Sequence, residues 1–301
     1  MTDDYRMRRN GLFLGLGAYF AWGVLPIYFK AIDHVLATEI VSHRIVWSLV
    51  FLALLVTITR RWAGIRAAVS TPRVALTLLV TSILIGLNWL IWIYAVVSGH
   101  VLEGSLGYYL NPLVNVVLGV FLLKEKLTRG QVAAVFLAAA GVAVLAAGAG
   151  GAIWISLSLA FSFATYGFLR KVAPVDSIEG LSIETAILTP LALGWILILQ
   201  QRGASGFLAG DTATDVLLVA GGVITAVPLL LFTAAARRLP YSTLGFLQYI
   251  APSLQFLLAV LLYGERFTLA HAVCFGAIWT ALVIFAFEGI RMSSKARAAA
   301  R

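Results

Sequence analysis

The sequence predicts an all-α polytopic membrane protein with ten transmembrane helices, built as two inverted-topology repeats of five with both termini cytoplasmic. Three observations predict it. Of 301 residues, 61% are hydrophobic and 12% charged, with a mean hydropathy of +0.97; a soluble domain averages about 45–50% apolar and about 25% charged. When alternate loops are assigned to opposite faces, nearly all Lys and Arg fall on one of them. The two halves of the chain also repeat each other at a nearly constant offset.

A span needs roughly 20 apolar residues. Apolar runs bounded by charge or by Gly, Pro and Ser breaks place ten, at about 11–31, 36–59, 74–97, 102–123, 131–147, 151–169, 179–199, 214–236, 241–263 and 269–289. These consume most of the chain and leave no room for a soluble domain. The first follows Arg8-Arg9 and has the outline of a secretory signal, but it supplies an element of the repeat and is expected to be retained. The second holds Glu39, His43 and Arg44, the third Asn88 and Trp92. In the fourth, Tyr108, Asn111, Pro112 and Asn115 share one helical face. The fifth opens on a capping-box spacing, Thr128 and Gln131, with Leu127 as a staple, and its Gly130, Ala134 and Ala138 allow a close helix approach. The sixth carries Ser158, Ser162 and Tyr166, the seventh Glu184, the eighth Pro228 and Phe232, and the ninth Gln248, Pro252 and Gln255. The tenth holds Cys274, the single cysteine, so no internal disulfide is possible.

The net charge of +9 is accounted for by topology. Loops on one face hold 18 of the 22 Lys and Arg, the other face holds Lys30, Arg202 and Arg266, and Arg44 alone lies within a span. The basic face is cytoplasmic, which removes the reason to expect nucleic acid.

At an offset of 140, Tyr109, Leu110 and Pro112 match Tyr249, Ile250 and Pro252. Glu125, Lys126 and Thr128 match Glu265, Arg266 and Thr268, Trp92 meets Phe232, and Asn115 meets Gln255. At 144 or 145, Trp22-Gly23 meets Tyr166-Gly167 and Glu39 meets Glu184. Residues 1–150 are thus the first five-span repeat. Residues 151–301 are the second, with a short basic tail. Five is odd, so the second repeat enters the membrane from the opposite side.

Transporters of this design place their substrate at the seam of the halves. A polar, aromatic-lined cavity is expected from Tyr19, Trp22, Asn88, Trp92, Tyr108, Asn111, Asn115, Ser162, Tyr166, Phe232, Gln248 and Gln255. Pro112, Pro228 and Pro252 each remove a backbone hydrogen bond and are candidate hinges. Ionisable groups within a span are functional candidates because burying them costs at least a few kcal/mol, which assigns Glu39, His43, Arg44 and Glu184 to gating or proton coupling. Arg44 needs a carboxylate, a carbonyl or a substrate anion, and Glu184 is one candidate. Glu103 reads as a helix-terminus group, His100 and His271 as interfacial. All Asp lie in termini, in loops or, for Asp215, at the very edge of a span, and no H-E-x-x-H or paired Ser, His and Asp occurs within a span. An intramembrane enzyme is therefore disfavoured, and no catalytic residue, metal or cofactor is expected.

Four segments together, Ala18-Tyr19-Phe20-Ala21-Trp22-Gly23, Glu39-Ile40 with Ser42-His43-Arg44, Leu106-Gly107-Tyr108-Tyr109-Leu110-Asn111-Pro112 and Leu244-Gly245-Phe246-Leu247-Gln248-Tyr249-Ile250-Ala251-Pro252, resemble the RarD-type permeases of the EamA branch of the drug/metabolite transporter superfamily. One turn departs slightly: Lys124 precedes Glu125, where the superfamily more often has the Gly seen at Gly264-Glu265. The resemblance implies ten spans around a central cavity and a transport role with an undefined compound. The expectation is a permease of the bacterial cytoplasmic membrane that moves a small organic metabolite or drug outward by alternating access. Its partners are that solute and the bilayer. The absence of a Lys/Arg cluster in the site argues against phosphorylated solutes and favours amphipathic ones such as amino acids or their derivatives. A facilitative channel or a non-transporting scaffold is the alternative.

Overall fold

The computed structural model describes residues 2–123, 128–148, 152–236, 238 and 247–299. The side chains of Pro112 and Asn115, the segment with Glu125 and Leu127, and residues 241–246 of the ninth expected span lie outside the described residues. Among the described residues the regular structure is entirely helical: α1 (Thr2–Lys30), α2 (Ala37–Ile58), α3 (Trp62–Ser70), α4 (Pro72–Val97), α5 (Val101–Leu123), α6 (Arg129–Gly148), α7 (Ile153–Val172), α8 (Ser177–Gln201), α9 (Thr212–Ala236), α10 (Ile250–Leu257) and α11 (Leu269–Ala299).

Seven of these, α1, α2, α4 and α6 to α9, are long and apolar enough to cross a membrane; α10 with its extension, and the first part of α11, are shorter apolar helices. α2 and α4 to α9 follow expected spans to within a few residues; α1 begins well before residue 11, α11 runs past residue 289, and in the ninth expected span, 241–263, the described helix is only Ile250–Leu257 with a π turn after it. The loop expected between the second and third spans contains α3 instead. It is a nine-residue helix that buries Ala68 and packs Ile65 beside Val74, Leu78 and Ile183. Pro72 opens α4 at its first turn, where a missing N–H costs nothing.

The capping box at α6 forms. The Thr128 N–H donates to Gln131 Oε1 at 2.9 Å and the Gln131 N–H to Thr128 Oγ1 at 3.1 Å. One hundred and forty residues later the same cap recurs at α11 with His271 in place of Gln131: the His271 N–H donates to Thr268 Oγ1 at 3.4 Å and the Thr268 N–H to His271 Nδ1 at 3.3 Å.

The most extensive contacts all join a helix of the first half to one of the second. α1 lies along α9 and α10, α7 along α4 and α5, α2 between α8 and α9, and α6 along α11. Buried apolar side chains from both halves of the chain form the main core, held by van der Waals packing, since lipid tails offer no solvent-driven hydrophobic effect between helices. The α2–α9 contact depends on Gly222. A Cβ there would lie 2.6 Å from both the Cβ and the carbonyl oxygen of Trp47.

The ninth span is the irregular one. A non-helical turn at Gln248–Tyr249 precedes α10, and a π turn, Leu258–Leu262, follows it. Pro252 sits in the first turn of α10, while Pro228 lies inside α9. Pro26 in α1 and Pro190 in α8 are further internal prolines.

Candidate functional site

Most of the residues expected to line one cavity fall into two separate groups. In the first, Asn88 of α4 donates through Nδ2 to Ser162 Oγ at 2.9 Å and to the Leu159 carbonyl at 3.1 Å, and accepts from the Tyr108 hydroxyl at 3.3 Å. Trp92 and Phe163 stand edge-on to the Tyr108 ring, with centroids 5.3 and 5.8 Å away. Tyr166 packs on Phe163 at 6.1 Å. In the second group, Tyr19, Trp22 and Phe232 touch pairwise with centroids 5.5 to 6.0 Å apart, and Gln255 Nε2 donates to the Trp22 carbonyl at 3.1 Å. Asn111 is buried with both amide atoms unpartnered among the described residues, as is Gln255 Oε1. Gln248 is half-buried in the turn before α10.

Arg44 of α2 is 6% exposed. Glu184 is not its partner. The Arg44 Nε donates to Thr225 Oγ1 of α9 at 2.5 Å, and the guanidinium lies over the Trp89 ring at 4.6 Å and the Phe29 ring at 5.8 Å. Its Nη1 has no hydrogen-bond partner, and no described carboxylate lies within ion-pair distance. An arginine deep in a span costs at least about 2.5–3.5 kcal/mol. The two cation–π contacts return about 0.5–2 kcal/mol each and the charged hydrogen bond about 1.5–3, which offsets that cost but supplies no negative charge to pair with the guanidinium.

Glu184 is fully buried and takes Arg170 instead, Nε to Oε1 at 3.6 Å. It also accepts from Thr81 of α4 at 2.6 Å and from Tyr166 at 3.2 Å. Arg170 stands four residues beyond Tyr166, one turn along the same face of α7. Its repeat counterpart Glu39 does something different. It accepts from Ser205 Oγ at 2.6 Å and from the N–H groups of Gly206 and Phe207 at 3.0 and 3.1 Å, so it straps the α8–α9 loop to the start of α2. His43 stands 4.0 Å away, accepts from the Trp47 indole at 3.3 Å, and packs at a tilt against Phe207, with ring centroids 4.5 Å apart.

A third carboxylate joins the halves through a helix terminus. The backbone N–H groups of Val101 and Leu102, at the start of α5, each donate to Glu265 at 2.8 Å, the anion position that a helix N-terminus favours. Gly264 turns the chain there with φ +63°. Burial pushes the Glu265 carboxyl up to about 7, the two N–H donors and Lys30 oppose the rise, and Glu103 adds to it. Glu103 lies between His100, 3.6 Å away, and His271, 3.8 Å away, as a helix-terminus group should. On the other side of the fold, Arg61 bridges Glu179 at 2.9 Å and Asp176 at 3.2 Å, tying the α2–α3 turn to the start of α8.

Sequence reading missed Thr225, Trp89 and Phe29 around Arg44, and Arg170 and Thr81 around Glu184. Arg170 counted only as a topology charge. The Glu265 cap had a signal, since its Gly-Glu turn echoes Glu125 at the repeat offset.

The model of the EamA-like transporter family matches residues 9–147. An uncharacterized transporter of Vibrio cholerae serotype O1 is 48% identical over 99% of both chains. Protein RarD of Escherichia coli K12 is 46% identical over 95% of this chain and 97% of its own. A solved crystal structure, 19% identical, superposes over 91% of this chain and 96% of that one with a TM-score of 0.57, and so shares the fold. The apolar helices and these relatives together make this a multi-pass membrane transporter, and the chain belongs to the RarD-type permeases of the EamA-like transporter family.

Proposed function

We propose that the protein is a ten-span secondary carrier of the bacterial cytoplasmic membrane, with both termini in the cytoplasm. It moves a small organic solute outward by alternating access along the seam between two inverted halves, and it is not an enzyme. The observation that carries this reading is the exchange pattern of the helix contacts. α1 on α9 is mirrored by α7 on α4, and α1 on α10 by α7 on α5, while α2–α8 and α6–α11 pair equivalent positions. Such a pattern fits a two-fold-related pair that can swap conformations. The π turn after α10 supports it, because π turns recur at functional sites.

In this reading the Asn88, Tyr108 and Ser162 group and the Tyr19, Trp22, Phe232 and Gln255 group form the two walls of the path. Asn111, Asn115, Trp92, Tyr166 and Gln248 complete them, and Pro112, Pro228 and Pro252 serve as hinges. Glu39 with His43 holds one gate and Glu184 with Arg170 the other. The two carboxylates are also where proton coupling would enter.

Comparing the medium of overexpressing and deleted cells identifies the solute. Saturable counterflow of that solute in proteoliposomes then tests the carrier. A channel shows flux without trans-stimulation, and a scaffold shows no flux. Flux indifferent to a pH gradient removes proton coupling. Asn115→Ala or Gln255→Ala should cut transport while membrane insertion persists; normal transport by both displaces the path.

A further inference from the structure

Arg44 is the one strongly charged group of the interior that the described contacts leave without a counter-ion. Its side chain is more than nine-tenths buried, its Nε is spent on Thr225, and its Nη1 has no partner. The other buried ionisable groups are engaged within the protein: Glu184 by Arg170, Thr81 and Tyr166, Glu39 by the α8–α9 loop and His43. The groups around Arg44 come from both halves, Phe29 and Trp89 from the first and Thr225 from the second. We infer that Arg44 is the anion-recognising group of the path, and that the solute is an organic monoanion whose carboxylate meets this guanidinium while its apolar or aromatic body lies against Trp89 and Phe29.

Three features select that chemistry. A planar guanidinium with a free N–H matches a carboxylate. A single cation balances one negative charge, whereas a phosphate dianion would remain half unpaired in a dry site. The Trp89 and Phe29 faces beside the guanidinium provide an apolar surface of the kind that ligand pockets use to hold and orient a small molecule. The inference rests on the carrier reading above, and it names the solute class that this reading leaves open.

The test is binding, measured by thermal shift and tryptophan fluorescence on the purified full-length protein. The probes are a series of aliphatic and aromatic monocarboxylates, each matched with its neutral amide. The carboxylates should bind more tightly than their amides to the wild type. Arg44→Gln should weaken them roughly 10- to 100-fold, the factor carried by one lost charged hydrogen bond, and leave the amides unchanged. Arg44→Lys, which keeps the charge without the fork, should retain the preference in weaker form and serves if the Gln variant does not fold. No preference for any carboxylate over its amide, or a preference that survives in Arg44→Gln, overturns the inference. Counterflow separates this from the carrier reading: binding preference without counterflow sinks the carrier alone, and counterflow without the preference sinks the anion site alone.

Discussion

Tyr109 and Tyr249, separated by 140 residues and equivalent in the internal repeat, stack on each other with ring centroids 6.3 Å apart and 17° between their planes. The Tyr109 hydroxyl also shares a hydrogen bond with Ser253 Oγ at 2.6 Å. The two residues match at the offset at which the sequence repeats, and their stacking lies where α5 meets the start of α10.

The first prediction concerns the inverted arrangement. In a Cys274→Ser background, Lys126→Cys should react with impermeant thiol reagents from one face of the membrane only, and Arg266→Cys from the opposite face only. Labelling of both from one side would dismantle the repeat relation.

Glu265 should give a measurable pH signature. Its ordinary value is 4.5, and the folded protein holds it near 7. Between these values the folded chain keeps a proton that the unfolded chain has lost. The stability this contributes is complete below about pH 4.5 and is lost as pH rises through 7. Glu265→Gln should therefore flatten the decline of the melting midpoint across that window. Parallel profiles for wild type and variant would contradict the burial argument.

The strap at Glu39 is testable by exchange. Glu39→Ala removes the acceptor of the Ser205 hydroxyl and of the Gly206 and Phe207 N–H groups, of which the Gly206 N–H is left with no other hydrogen bond among the described residues, while Ser205 and Phe207 keep their bonds to each other. Faster hydrogen exchange at the Gly206 and Phe207 amides is expected, and Glu39→Gln should restore part of the protection. Unchanged exchange in the alanine variant would show that the loop is held by other contacts.

Arg170 and Glu184 should behave as a coupled pair. Removing one partner of a buried ion pair strands the other, at about 3 kcal/mol or more. Arg170→Met alone should lower thermal stability strongly, and adding Glu184→Gln should recover part of the loss. Additive effects in the double-mutant cycle would mean that the 3.6 Å contact contributes no coupling.

A pair of glycines separates packing from helix propensity. Gly222→Ala would drive a methyl into Trp47 and should cost about 1–3 kcal/mol. At Gly276 an added Cβ meets nothing within 4 Å, so Gly276→Ala should be neutral or stabilising by up to about 1 kcal/mol. Opposite shifts in melting temperature are expected, and equal shifts would refute the α2–α9 close approach.

The sequence by itself determined the membrane class and most helix boundaries. Both follow from local composition: a bilayer core admits only long apolar segments with internally satisfied backbones, and that requirement is written residue by residue. The capping box at Thr128 and the terminal place of Glu103 were legible for the same reason, since a helix end is satisfied by residues three or four positions away. What only the tertiary structure decided were the partners of the buried charges. Glu39 and Glu184 are equivalent in the repeat, yet one straps a backbone loop and the other pairs with Arg170. Arg44 meets Thr225, 181 positions along the chain, together with aromatic rings, and Glu265 caps a helix 163 positions back. Side-chain type says that a buried charge must be compensated, but which group compensates it depends on how helices from the two halves interlock, and no periodicity along the chain encodes that.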